Sequence, residues 1–204
     1  MIKQFERFFP LILIIFHIIG LGLFIESDSA SSLTWMNLTL CGLLVFLSEA
    51  KLKSALLVFA IIFTGGFLIE LIGTKTGVLF GDYSYGSVLG WRLAGVSLII
   101  GVNWYAIVLA ATNVVRGLKL GYVLTAIIAG VLCVALDVVI EPVAVKYGFW
   151  TWHGGEIPLF NYITWFVFAV IFSFIYLKKS SKQNKTATWL FFVWLGFFLV
   201  LNFI

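Results

Sequence analysis

The chain has 204 residues, 62% of them hydrophobic and 11% charged, with a mean hydropathy of +1.12. Soluble domains carry roughly 45–50% apolar and about 25% charged residues, so an ordinary soluble enzyme, a disordered chain and a disulfide scaffold are excluded. The net charge of +4, from 13 basic and 9 acidic residues, therefore matters through its placement along an integral membrane protein, and no nucleic-acid partner is expected.

Seven apolar runs predict an all-α fold of about seven transmembrane helices in one polytopic domain, 1–204, at 8–25, 33–48, 54–72, 93–111, 120–140, 160–177 and 186–204. A bilayer core of about 30 Å needs roughly 17–25 helical residues, which these lengths meet, the second only barely. Lys3 and Arg7 before the first run and the Ser-rich stretch to Ala30 superficially resemble a secretory signal. Six further spans favour an uncleaved anchor helix. Cys41 and Cys133 lie inside apolar runs and form no metal or redox spacing, so both read as packing residues. His17 stands alone and His153 has no ligand cluster around it, so no metal, haem or other cofactor is expected.

With the N-terminus inside, ten Lys and Arg fall in inner segments, among them Lys3, Arg7, Lys51 and Lys53, against three outside, Lys75, Arg92 and Lys146. The positive-inside rule then places the N-terminus in and the C-terminus out, in a cell (inner or plasma) membrane. Acidic residues sort the other way: Glu6 and Glu49 are inner, whereas Glu26, Asp28, Glu70, Asp82, Asp137, Glu141 and Glu156 gather near the outer face.

Asp137 lies inside the fifth span, where an acid costs at least roughly 2.5–3.5 kcal/mol and normally faces a cavity or a partner. Glu141 is four residues on and shares its helix face. Pro142 is expected to end the helix there. Glu70 occupies the matching place near the outer end of the third span. Two readings stand at this point. The acids are wetted by headgroup water, with Asp137 paired to Arg92 or Lys146, or they form a carboxyl cluster in an apolar pocket. In such a pocket one buried carboxyl group stays protonated and delivers a proton while a wetter one stays ionised.

The loops after these acids look alike. Gly81-Asp-Tyr83-Ser-Tyr85-Gly86 and Gly148-Phe-Trp150-Thr-Trp152-His-Gly154 share the pattern Gly, any residue, aromatic, Ser/Thr, aromatic, then Gly within two residues. They suggest a parallel internal repeat of two helices and a loop with a site between the halves; two interfacial aromatic belts are the alternative. Asn103, beside Trp104, is placed either to hold a ligand or water or to bond a neighbouring helix. The inner halves of spans three to six show few polar residues, which counts against a proton-coupled transport path. An acid-rich, aromatic-lined outer boundary suits protonation of a lipid-soluble alkene, with aromatic faces stabilising the cation. The residues alone leave transport open as well.

Taken together, Gly77-Val-Leu-Phe-Gly81-Asp82-Tyr83-Ser-Tyr85-Gly86, Leu89-Gly90, Gly95-Val96, Trp104 and Asp137-Val-Val-Ile-Glu141-Pro142-Val-Ala-Val-Lys-Tyr-Gly148-Phe-Trp150-Thr-Trp152 resemble the membrane carotenoid hydratases. That family includes the bisanhydrobacterioruberin hydratases and the carotenoid end-group hydratases. The resemblance covers residues 60–175 and departs at Ser97, where proline is expected after Gly95-Val96. It extends more distantly to the small membrane lycopene cyclases. It implies a cofactor-independent hydro-lyase of carotenoid biosynthesis, adding water to the terminal double bond of an acyclic ψ-end group and leaving a tertiary hydroxyl. The implied partners are a membrane-embedded carotenoid, water, the lipid bilayer and other carotenoid-biosynthesis enzymes. On this reading Asp137, the deepest acid, is the general acid, Glu141 the base that positions water, and Glu70 a third carboxyl group tuning the pair. Tyr83, Tyr85, Trp150 and Trp152 would line the mouth, with Asp82, Asn103 and Trp104 also contacting substrate or water. Ring closure of the same end group, as in a lycopene cyclase, is the alternative reaction.

Overall fold

The computed structural model describes residues 5–180 and 182–204; Lys3 and the side chain of Asp28 lie outside what it describes. The chain forms seven helices: α1 Phe9–Glu26, α2 Thr34–Leu47, α3 Leu52–Thr76, α4 Ile99–Arg116, α5 Tyr122–Lys146, α6 Leu159–Lys179 and α7 Lys185–Leu201. Short 3₁₀ turns at Glu6–Phe8 and Asp28–Leu33 lead into α1 and α2. Six helices, counting these turns, are long and apolar enough to cross a membrane, and α7 is a shorter apolar helix of 17 residues. The protein is an all-α, multi-pass membrane protein.

Helix α4 forms the centre of the bundle, and its side chains from Trp104 to Asn113 are all buried. Small residues let its neighbours approach, as expected where packing rather than hydrophobicity drives association in lipid. A Cβ at Gly66 of α3 would meet the Trp104 ring at 2.6 Å, and one at Gly42 of α2 would meet Val102 at 2.4 Å. The most lipid-facing helix is α1.

Several helix ends differ from the sequence expectation, among them the third, which runs to Thr76, and the fourth, which runs to Arg116; two of the differences bear on the site. The fourth helix starts at Ile99 rather than 93, because Arg92–Leu93 (β2) and Val96–Ser97 (β3) pair as a hairpin. Ser97, at the departure from the family pattern, closes that hairpin by donating its hydroxyl to the Leu89 carbonyl at 2.5 Å. Nor does Pro142 end the fifth helix, which runs on to Lys146 and keeps Glu141 inside it. Proline frees carbonyls one turn earlier, and within a membrane these must be re-satisfied by neighbours. Here proline lacks the N–H that would meet the Val138 carbonyl, and the next carbonyl, Val139, accepts the side-chain amide of Asn202, just past α7, at 2.8 Å.

The end of the bundle opposite Glu70 and Glu141 is also more polar inside than the sequence suggested. Thr112 of α4 donates to Ser173 of α6 at 2.9 Å, and Asn113 donates to the Tyr176 hydroxyl at 3.0 Å. Tyr176, Ser180 and Asn184 all donate to Glu49, and the Asn184 N–H binds the Asn113 carbonyl oxygen of the side chain. These bonds tie the ends of α2, α4 and α6 to the start of α7, as a closed set of donors and acceptors rather than a path.

Candidate functional site

The site lies where α3 and α5 approach their second ends. Gly77, at φ 66°, takes the left-handed conformation that terminates α3 and turns the chain back over the helix end. That reversal carries Tyr83–Tyr85 (β1) above Glu70. After α5, the same kind of reversal carries Trp150–Trp152 (β4) above Glu141. The two strands pair antiparallel, Tyr83 opposite Trp152, Ser84 opposite Thr151 and Tyr85 opposite Trp150. The two similar sequence motifs are thus one ribbon, and alternation along it sends the aromatic residues down and Ser84 and Thr151 out.

Glu70, Glu141 and Asp137 are only 3%, 2% and 2% exposed, which decides against headgroup wetting. Glu70 accepts three hydrogen bonds. The Trp104 indole donates to Oε1 at 2.9 Å, and the hydroxyls of Tyr83 and Tyr85 both donate to Oε2, the latter at 2.7 Å. Burial first, and then the charge of Glu70, push both phenols well above their usual range, so each remains a protonated donor. On Glu141, the indoles of Trp150 and Trp152 both donate to Oε2, at 2.9 and 3.0 Å. Its Oε1 faces the side-chain amide of Asn161 at 3.4 Å, and that same nitrogen donates to Asp137 Oδ2 at 2.9 Å. Asp137 is therefore partnered by Asn161, whereas Arg92 donates to the Tyr85 carbonyl.

The halves follow an approximate two-fold pattern. Each has a glutamate on its first helix (α3 or α5) held by two aromatic donors from its own strand. Trp104 of α4 and Trp165 of α6 stack on each other, with ring centroids 3.8 Å apart and 12° between planes. Asp137 and Asn161 break the symmetry, since Trp104 rather than an amide is Glu70's third donor.

Between the glutamates is a cavity of about 20 Å³, bounded by both carboxyl groups, the four aromatic residues of the ribbon, Asn161 and Trp165. That is room for one water, with the polar partners a buried water requires. Beside it lies an almost wholly apolar cavity of about 440 Å³ between α1, α2, α4, α5 and α7. Ile100 and Trp150 form part of both walls. Lipid-facing side chains of α1 and α2, including Phe16, Ile19 and Met36, line the larger cavity, so it borders the bilayer laterally.

Most of the residues expected from sequence come together. Glu70, Glu141, Tyr83, Tyr85, Trp150 and Trp152 all bound the small cavity. Trp104 stands behind it on Glu70, and Asn103 lines the large one. Asp137 is held one amide away, behind Asn161. The Asp82 side chain is exposed and only its carbonyl is used, by the His153 N–H at 2.9 Å. His17 Nδ1 donates to the Leu13 carbonyl at 2.7 Å and its Nε2 accepts from the Asn37 side-chain amide at 3.3 Å, so it is a satisfied packing residue on the wall of the large cavity. Asn161 and Trp165 are site residues that sequence reasoning missed. The available signal was Asn161, Thr164 and Trp165 at positions i, i+3 and i+4 on one face of an otherwise apolar span.

The fold and site define a multi-pass membrane protein with a small buried acidic cavity next to a larger apolar one, the two sharing Ile100 and Trp150 as wall residues. A family model described as Carotenoid biosynthesis protein matches residues 31–204. The chain belongs to that family. No curated protein and no solved structure matches it.

Proposed function

We propose that this protein hydrates the terminal trisubstituted double bond of an acyclic carotenoid end group. The observation that carries the reading is the adjacent pair of cavities: a water-sized polar one between two glutamates, and an apolar one that shares Ile100 and Trp150 as wall residues. An extended C40 polyene is about as long as the bilayer core, about 30 Å, so its end group reaches the depth of helix ends such as these.

Hydrogen-bond inventories support a division of roles. A carboxylate only accepts, and Glu70 meets three donors, two phenols and an indole. Glu141 takes both its close donors on Oε2, which leaves Oε1 as the oxygen able to carry a proton beside the cavity. The expected acid from sequence is Asp137; the cavity wall favours Glu141 for that role, with Asp137 behind it through Asn161. Glu141 gives its proton to the alkene carbon nearer the chain, and the terminal carbon becomes a tertiary cation. Faces of the surrounding aromatic rings stabilise the charge. The cavity water adds its lone pair to the cation and loses a proton to Glu70. Return of that proton to Glu141 through the next water completes the cycle, with one water consumed and no cofactor needed.

The test is expression in a lycopene-producing host with pigments read by mass spectrometry. A product heavier by one water is expected. An isomer of unchanged mass would instead identify ring closure, and unchanged lycopene would refute both.

A further inference from the structure

Asn161 belongs to no motif, yet it is the one amide that touches two carboxyl groups of the site. It is 2% exposed, sits in the first turn of α6 after Pro158, and forms part of the wall of the 20 Å³ cavity. Its Nδ2 is committed to Asp137 at 2.9 Å and to Glu141 at 3.4 Å. That fixes the amide's orientation, because a flipped amide would set its oxygen against two acceptors. Among the described residues no donor reaches Oδ1, which leaves that oxygen free to accept from a water in the cavity that Asn161 lines.

Building on the hydratase reading, we infer that Asn161 positions the attacking water and so decides whether the cation is hydrated or reverts to an alkene. A water in the cavity donates one hydrogen to Asn161 Oδ1 and the other to a carboxylate oxygen of Glu70. Both hydrogens are then held by acceptors and the lone pair points at the cation, the orientation that C–O bond formation needs. Without the amide, the cation's remaining outlet is loss of a proton to Glu70, from the carbon just protonated or from a neighbouring methyl group. Both routes regenerate an alkene of the original composition. Asn161 is a positioning residue: it touches the water and the acids and exchanges no proton itself.

The experiment separates protonation from water addition. Membranes containing the wild-type protein, Asn161→Leu or Asn161→Ala are supplied with lycopene in D2O buffer, and pigments are analysed by mass spectrometry. Wild type is expected to give the hydrated product carrying deuterium on the chain carbon. Asn161→Leu is expected to put deuterium into recovered alkene while its hydrated product, relative to total deuterium uptake, falls at least about 10-fold. Asn161→Ala reads the same ratio where the leucine variant fails to accumulate. A parallel fall of deuterium uptake and hydration in both variants would overturn the positioning role and leave the hydratase reading intact. Absence of both signals in wild type would overturn the hydratase reading itself.

Discussion

Tyr85 stands opposite Trp150 on the β1–β4 ribbon, yet the two donate to different glutamates, Tyr85 to Glu70 and Trp150 to Glu141. One ribbon thus fixes both carboxyl groups, and the spacing of the cavity between them depends on its register. Shifting an antiparallel pair by one residue reverses every side chain, so the register here is a functional quantity.

The unequal donor sets predict unequal responses to the same substitution. Glu141→Gln keeps an oxygen under the two indoles and sets its NH2 against only the long 3.4 Å contact from Asn161, so stability should fall by no more than about 1 kcal/mol. Glu70→Gln has one acceptor for three donors and strands at least one of them, a cost of about 1–3 kcal/mol for a buried group. Both should lower hydration at least about 100-fold, the usual contribution of a positioned acid or base. Asp137→Asn, one amide further back, should lower it less than Glu141→Gln. Thermal unfolding in detergent and product yield read the two effects separately. Equal destabilisation by the two glutamine variants would contradict the donor inventories.

The seven helices were legible because each is an apolar run whose hydropathy needs no tertiary context. Helix ends were not. Residues 93–98 are apolar enough to join a span, and only their pairing as a hairpin shows that they do not. Pro142 carries a local stop signal, but the helix, packed against α6 and α7, runs past it to Lys146. The two Gly-aromatic motifs were visible as similar strings, but similarity does not say that they pair with each other. Asp137 was conspicuous as a charge in a span. Asn161 carries no charge and no motif, and its importance comes only from the two carboxyl groups that α5 brings to it.

Close backbone approach at the ribbon gives a second prediction. A Cβ on Gly86 would lie 1.9 Å from the Gly148 carbonyl oxygen, beside the bond from Gly86 N–H to Phe149 O at 2.9 Å. Backbone cannot rotate away as a flexible side chain does, so Gly86→Ala must part the strands. A loss of about 1–3 kcal/mol in unfolding free energy is expected, the range for overpacking. The same shift should cut hydration by withdrawing aromatic donors from both glutamates. Gly154→Ala, whose Cβ would meet nothing within 4 Å, is the matched control and should do neither.

At the far face, Asn184 holds α7 to the bundle. Its Nδ2 donates to Val45 O at 2.9 Å and Glu49 at 2.8 Å, and its Oδ1 caps α7 by accepting the Ala187 N–H at 3.0 Å. Asn184→Leu removes the cap and leaves the Glu49 oxygen and Val45 carbonyl short of a donor. A loss of about 2–4 kcal/mol is expected from a cap of about 1 kcal/mol plus one or two stranded buried groups. Scanning calorimetry in detergent should show the lower transition. Hydration per folded molecule should stay near wild type, because the clamp lies at the opposite end of α4 from Trp104.

Ile100 tests the connection between the cavities. It lies in the first turn of α4, one turn before Trp104, and belongs to both walls. Ile100→Trp adds bulk where the apolar space meets the polar one, and it has the 440 Å³ cavity beside it to expand into. Overpacking should therefore cost at most about 1–3 kcal/mol. The glutamates and their donors keep their places, so the acids remain and only the route of the end group is closed. Hydration of lycopene should fall at least about 10-fold with little change in folding, whereas Ile100→Ala should keep the route open and convert substrate. Full conversion by Ile100→Trp would show that the end group reaches the glutamates by another way, and the apolar cavity would lose its assigned role.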